Sequence, residues 1–426
     1  KEGNNVYIQA SYRVAALCQA AVAVCASLGL VLAAGGCGAS SGESKTIYFW
    51  NNLVGDDGPA MQRIVKEYNA QSDYKVVFQP MNGGDLTTKI YSVMQTGKNI
   101  PDIIIGDQFQ TAVLQSQGLL DTMDDWQKVA PDLKESSFLP ATWKGVTVNG
   151  KAYGIPLYLY QMAIYYNKDL VKKYNLQYIL DDGFVTIDEI KDLKASYPRH
   201  LRADLRQSAW AFMSLLYGAG GTLENDMDDL TKDVWRKPME KLKEAYDAGV
   251  IAPMDVDGEQ AFGSGKAVFA QLGTWAQGNM SNTLGADKIA EANTLQYSAD
   301  NPVNFFYQCN WMQLKDPHRS AAKSAAAADF VKYVYEHWMD WSEVGSISPA
   351  YRDLNNPEYQ KLIQASFTNS KKERDYIKTS NYLYGGYATA GWGTYNDIVY
   401  GNVGLEEGLK TLDLMAQGQI EIQEES

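Results

Sequence analysis

Side chains suited to holding a neutral, hydroxyl-rich ligand recur in this chain where strands should end. Trp50-Asn51-Asn52, Met81-Asn82-Gly83 and Gly106-Asp107-Gln108-Phe109 each follow a short apolar run. A hydroxyl donates and accepts at once, and Asn, Gln and Asp offer fixed partners for both roles. Trp50, Asn52, Asn82, Asp107 and Gln108 are therefore candidate binding residues, although Asn and Asp after a strand also serve as plain turn formers. Trp275, just past the apolar run 268–272, is the strongest single candidate. An indole can cover the apolar C–H face of a sugar ring while the ring-edge hydroxyls find hydrogen bonds; packing in a core is the competing role for any tryptophan. Tyr158 and Tyr160, Tyr217, Asn310 and Trp311, and Trp392 complete the set, each lying in or beside an aromatic segment.

Other chemistries find little support. The three histidines, His200, His318 and His337, have no metal-ligand spacing, so no metal and no cofactor is expected. Residues 182–189 copy the second half of a calcium-binding loop, but Tyr178 and Leu180 stand where the first acidic ligands belong. Gly263-Ser264-Gly265-Lys266 is followed by Ala267, which breaks the phosphate-loop pattern, and no G-x-S-x-G elbow occurs. A glycosidase needs only two carboxylates from distant positions, and the chain has 51 Asp and Glu. Solubility accounts for that acidity equally well. The net charge of −13 argues against nucleic acid as a partner.

Positioning the candidates requires an α/β framework, and 426 residues suggest two domains. Strands are expected over residues 46–50, 75–79 and 101–105, alternating with helices. The first helix puts Met61, Ile64, Val65 and Tyr68 on one face; in the second, capped by Asp85 and stopped by Gly97, Leu86, Ile90, Val93 and Met94 share a face. Unbroken isoleucines at 103–105 imply a parallel strand covered on both sides. In a doubly wound sheet, ligands bind beyond the carboxyl ends of the strands, where these candidates sit.

Residues 152–170, AYGIPLYLYQMAIYYNKDL, are the centre of the chain. Pro156 excludes helix there, residues 157–166 read as one buried strand, and Asn167 caps a following helix. Thr186 to Glu189 has capping-box spacing. Helices are expected over 209–217, through Met239, Leu242 and Tyr246 up to Gly249, over 321–338, and at the C-terminus on a face of Leu405, Leu409, Leu412 and Met415. Residues 304–312, NFFYQCNWM, read as a second aromatic strand returning to the first domain, and 345–349 as a third crossing.

Gly154-Ile155-Pro156 with Tyr165-Tyr166-Asn167-Lys168-Asp169-Leu170 resembles the segment that joins the two lobes in the extracellular solute-binding proteins of ABC importers, in their sugar-binding, maltose-binding-protein-like group. Trp50, Pro101-Asp102, Phe262 with Gly265-Lys266-Ala267, and Gly273 with Trp275 match further parts of that pattern. The resemblance implies a two-lobe, type II periplasmic-binding-protein-like α/β fold, each lobe a sheet flanked by helices, with the cleft between them. It places lobe 1 at 45–157 and 305–345, and lobe 2 at 158–304 and 346–426. It further implies a monomeric binding protein rather than an enzyme. The ligand would be a carbohydrate, an oligosaccharide, delivered to the transmembrane subunits of an ABC permease. A non-sugar solute in the same fold, and a polysaccharide-processing lipoprotein, are the alternatives.

Residues 1–37 read as an export signal, apolar from 14 to 34 and ending in small residues. Gly35-Gly36-Cys37 is similar to a bacterial lipobox, with Ala34 where Leu is usual; Cys37 is the expected lipidation site and residues 38–44 a flexible tether. The expected location is the outer face of the cytoplasmic membrane, held by a lipid anchor, in a Gram-positive bacterium. Once Cys18 and Cys25 have left with the signal, Cys309 remains as a lone buried thiol.

Overall fold

A computed structural model describes residues 44–55, 57–181, 183–193, 208–249, 251–253, 256–368, 377–378 and 392–424. The expected signal, Cys37 and most of the tether lie outside these residues, as does the side chain of Trp392. Every element named below lies in the compact unit Lys45–Ser426.

Strands β1 (Thr46–Asn51), β2 (Lys75–Pro80) and β3 (Ile103–Asp107) form where the apolar runs predict. β1 pairs with β2 and β3 in parallel, one-residue connections being impossible between parallel strands and helices filling the gaps. Helix Asp57–Gln71 buries Met61, Ile64, Val65 and Tyr68 against one face, together with Phe330, Val331 and Val334 of helix Ala321–Glu336. Leu86, Ile90 and Val93 of helix Gly83–Thr96 cover the other face. Ile103, Ile104 and Ile105 are fully buried, each contributing roughly 1.5–3 kcal/mol relative to exposure. The cap of helix Gly83–Thr96 is Asn82 rather than Asp85: Asn82 Oδ1 accepts the Asp85 N–H at 3.1 Å, and Asp85 sits in the first turn. Gly97 ends the helix at φ 64°, as expected.

The sheet is mixed rather than wholly parallel. After the small hairpin β4 (Thr147–Val148) and β5 (Lys151–Ala152), β6 (Ile155–Tyr160) enters it, and β11 (Tyr307–Met312) lies antiparallel between β3 and β6, giving the order β2-β1-β3-β11-β6. The run 157–166 is two strands, because the chain turns at Gln161 and β7 (Met162–Asn167) belongs to a second sheet. There β7 is central, antiparallel to β8 (Phe269–Gly273) and β9 (Ile289–Ala292). Residues 304–312 divide likewise at Phe306, since β10 (Asn304–Phe305) pairs with β12 (Ile377–Lys378). The crossings between sheets are thus at Gln161 and Phe306, later than the expected 157/158 and 304/305.

The second sheet is backed by helices Ser208–Gly218, Asp233–Asp247, Trp392–Val399 and Leu405–Glu424 around one apolar cluster, in which Phe212 stacks on Trp235 at 5.7 Å. The Thr186 capping box forms in full, and Asn167 caps its helix by accepting from Asp169 and Leu170. In the C-terminal helix the buried face is Leu409, Leu412 and Ala416; Met415 is exposed, one position out of phase. Residues 345–349 do not cross either. Ile347 exchanges two backbone hydrogen bonds with Leu159, the Pro349 carbonyl accepts from Leu139, and it is the later turn Ile363–Phe367 that packs against β9. Among the described residues no helix is long and apolar enough to cross a membrane.

Candidate functional site

The ends of β1, β3 and β6 and the start of β11 meet at one edge of the first sheet, beside the crossing into the second. Register places Asp107, Cys309 and Tyr158 in one row and pairs Tyr307 with Tyr160 in the next. Partners across a ladder share a face, so these side chains project together. The same face carries Trp311 deeper in the lobe, packed on Phe49 at 5.1 Å.

An aromatic chain runs from this edge into both lobes. Tyr160 stacks on Tyr307 at 5.5 Å and meets Trp275 edge-on at 5.5 Å and 70°. Tyr158 lies 5.8 Å from Tyr160 and packs edge-on against Trp341 at 4.9 Å. Tyr307 continues through Phe305, at 5.2 Å, to Tyr217 at 5.4 Å from Phe305. Trp275 is 46 % exposed, the one exposed tryptophan among those whose side chains are described. It is held there by the short turn Thr274–Ala276 at the end of β8, with its ring lying across Gly273, where any Cβ would collide with it.

Burial raises the hydroxyl pKa of Tyr158, Tyr160 and Tyr307 well above the ordinary tyrosine value, so these groups stay neutral hydrogen-bonding hydroxyls. Asp107 caps helix Gln108–Ser116, its Oδ1 accepting the Gln110 N–H at 2.7 Å. Burial raises its pKa, opposed by the N–H groups of Gln110 and Phe109. Polar capacity is left over here. Asn52 Oδ1, both amide atoms of Gln161, Thr274 Oγ1 and Gln277 Oε1 are buried without hydrogen-bond partners. Gln161 is the crossing residue itself, and its carbonyl accepts the Thr274 N–H at 3.0 Å.

The structure thus brings Tyr158, Tyr160, Asp107 and Trp275 to one edge, with Asn52 at the end of β1 and Tyr217 at the far end of the aromatic chain. Five other expected residues are placed elsewhere. Trp311 alternates onto the core face and is 2 % exposed. Asn310 points to the opposite face, its amide donating to Thr111 Oγ1 at 3.0 Å and accepting from Gln308 at 2.6 Å. Gln108 is buried in the same network, accepting the Gln308 N–H. Trp50 is buried, donating to Gln79 at 2.6 Å with the Lys89 ammonium 4.1 Å above its ring. Asn82 spends both amide atoms on Asp85. Tyr307, Trp341, Gln161, Thr274 and Gln277 were not anticipated. Tyr307 was legible in principle, since period-two alternation from buried Trp311 reaches it; the others depend on the crossing.

The lobes touch beside this site at Gly345, whose φ is 82° and whose absent Cβ would stand 2.1 Å from the Thr274 carbonyl oxygen. Gly345→Ala should therefore lower the unfolding free energy by about 2 kcal/mol or more, measured by urea denaturation, since both the left-handed backbone and the contact oppose a side chain.

Two α/β lobes joined by adjacent crossings, with aromatic and amide groups at their junction, define a two-lobe solute-binding fold. A family model described as "Bacterial extracellular solute-binding protein" matches residues 63–365, and the chain belongs to that family. Among solved structures it is similar to an ABC substrate-binding protein from Listeria monocytogenes in complex with cycloalternan (15% identity, TM-score 0.73, covering 88% of this chain and 98% of that one). It is also similar to the cyclic alpha-maltosyl-1,6-maltose binding protein of Arthrobacter globiformis (19%, 0.67, 88% and 98%) and to the maltose-maltodextrin binding protein of Alicyclobacillus acidocaldarius (17%, 0.70, 87% and 100%). No curated protein sequence matches the chain.

Proposed function

We propose that this protein captures a carbohydrate, an oligosaccharide, between its lobes and delivers it to the transmembrane subunits of an ABC permease. The observation that carries the reading is Trp275: a large ring left half-exposed, edge-on to Tyr160, where the strands of both lobes end. Such a ring costs solvation unless a ligand covers it, and the neighbouring tyrosine hydroxyls and unpartnered amides suit a hydroxylated ligand. The described ligands of the structural neighbours, cycloalternan and maltodextrins, support the same class. A ligand that contacts both lobes favours their closed arrangement by its differential affinity. On this reading lobe 1 comprises residues 45–160 and 307–361, and lobe 2 residues 162–305 and 362–426. The protein acts as a monomeric receptor without turnover, exported and anchored through a lipid on Cys37 to the outer face of the cytoplasmic membrane.

Titrating tryptophan fluorescence with a panel of oligosaccharides tests this. One sugar should give a saturable change and be recovered intact. Trp275→Ala should raise its Kd about five- to thirtyfold, the loss of about 1–2 kcal/mol of ring burial. Silence across the panel would point to a non-sugar solute, and breakdown of the sugar to an enzyme.

A further inference from the structure

We propose that Tyr165 is the positioning residue of the Trp275 ring: its hydroxyl fixes the peptide planes that lead into Trp275, and Glu291, opposite it on β9, controls whether that hydroxyl is free to do so. The inference rests on reading Trp275 as a ligand platform. Tyr165 lies on β7, fully buried, with its ring edge-on to Phe262 at 6.2 Å. Its hydroxyl reaches the end of β8, where it donates to the Gly273 and Thr274 carbonyls, each at 3.3 Å.

Both oxygens bear directly on Trp275. The Thr274 carbonyl belongs to the planar peptide unit that ends at the Trp275 Cα, so holding it restricts the backbone from which the indole hangs. Gly273 is the residue across which that indole lies. Two backbone bonds also anchor the turn, the Thr274 N–H on the Gln161 carbonyl and the Gln277 N–H on the Thr274 carbonyl. Tyr165 adds a side chain to them, reaching the turn from inside the lobe.

One hydroxyl proton cannot serve every acceptor near it. Glu291 is the β9 partner of Tyr165 in the register, so the two side chains stand on one face of the sheet. Both are buried, and no hydrogen bond of ordinary geometry satisfies either Glu291 oxygen. The two groups act on each other: after burial, Glu291 is the next cause raising the Tyr165 hydroxyl, while the Tyr165 hydroxyl opposes the effect of burial on Glu291. Of the elements packed around them, helix Gly258–Gly263 brings the Glu259 carboxylate, and segments Ser281–Gly285 and Ile363–Phe367 carry no titratable side chain. No cation is among these groups. A neutral Glu291 carboxyl leaves the tyrosine proton with the two carbonyls. An ionised one outcompetes them, since a hydrogen bond to a charged acceptor is roughly twice as strong as one to a neutral carbonyl. The Tyr165 proton then turns to Glu291, and the Trp275 turn loses its side-chain anchor. Burial keeps Glu291 protonated up to about pH 8, so the platform is held at neutral pH and loosened above it.

The test is fluorine NMR of the full chain labelled with fluorotryptophan, the Trp275 line being the one lost in Trp275→Phe. Tyr165→Phe keeps the ring and removes the hydroxyl. At neutral pH it should shift or broaden the Trp275 line and leave those of the buried Trp126 and Trp235 in place. In the unmodified chain the same change should appear as pH rises, with a midpoint at about 8, and it should be absent from Glu291→Gln. Titrated with maltotetraose, Tyr165→Phe should show a Kd raised about three- to tenfold. A Trp275 line that ignores Tyr165→Phe, or that shows no Glu291-dependent change with pH, would overturn the proposal. The two arms use different variants, so either one decides the matter should the other variant not fold. Failure of the unmodified chain to bind maltotetraose would count against the sugar reading alone, because the fluorine lines need no ligand.

Discussion

Asp102→Ala should lower the unfolding free energy by about 3–5 kcal/mol, the range for breaking a buried ion pair by removing one partner. Asp102 is 1 % exposed at the start of β3. Its Oδ2 accepts the Tyr48 backbone N–H at 2.9 Å and faces the Lys323 ammonium at 3.0 Å, while Arg319 Nε lies 3.6 Å from Oδ1. The carboxylate thus fastens β1 to the loop and helix that begin at residues 319–321. Removing it strands a buried guanidinium whose remaining partners are the Pro101 and Leu314 carbonyls and Asp121 at 3.4 Å. Asp102→Asn keeps the shape and an acceptor for the Tyr48 N–H, so it should lose less. Urea denaturation measures both, because guanidinium salts would screen the charges in question. A loss below about 1 kcal/mol for the alanine variant would show that Arg319 and Lys323 find other partners on relaxation.

The second large effect is a pH dependence centred on Glu291. Its folded pKa is raised to about 8, by burial first, against an ordinary carboxylate value of 4.5. Below about pH 4.5 both folded and unfolded chains hold the proton, and its contribution to stability is complete. Between about 4.5 and 8 the unfolded chain gives up the proton while the folded chain keeps it, so stability falls as pH rises, levelling off above about 8. At about 1.4 kcal/mol per pH unit the full span is on the order of 5 kcal/mol. Glu291→Gln carries no such proton. Its stability relative to the native chain, followed by urea denaturation, should therefore climb steadily from pH 5 to pH 8. A constant difference over that range would mean that Glu291 ionises normally in the folded protein.

Much of the framework was legible in the residues. Isoleucines in series at 103–105 could only be a doubly covered strand, and the i, i+3, i+4 pattern of Met61, Ile64, Val65 and Tyr68 could only be one face of a helix. The Thr186 capping box and the Asn167 cap are local bargains between a side chain and backbone donors two or three residues away, so they need no knowledge of the rest of the chain. Trp275 was legible too, through its place after a strand in a motif that resembles the family's.

Tertiary structure decided what no local pattern contains. Apolar and aromatic residues flank Gln161 on both sides and continue through Phe306, since strands on either side of a crossing are equally buried; which sheet receives them is settled by pairing with residues far along the chain. The same pairing sorted the aromatic strand, turning Tyr307 towards Tyr160 while Asn310 and Trp311 were consumed by the interior. Strand-end amides such as Asn82 and Gln108 looked free because their competitors for hydrogen bonds, Asp85 and the Gln308 backbone, could not be weighed in advance. By itself the sequence determined which segments are strand or helix and which residue types could meet a hydroxylated ligand. Folding determined which of those side chains remain unpaired, because a polar or aromatic group is available to a ligand only where the protein has not already satisfied it.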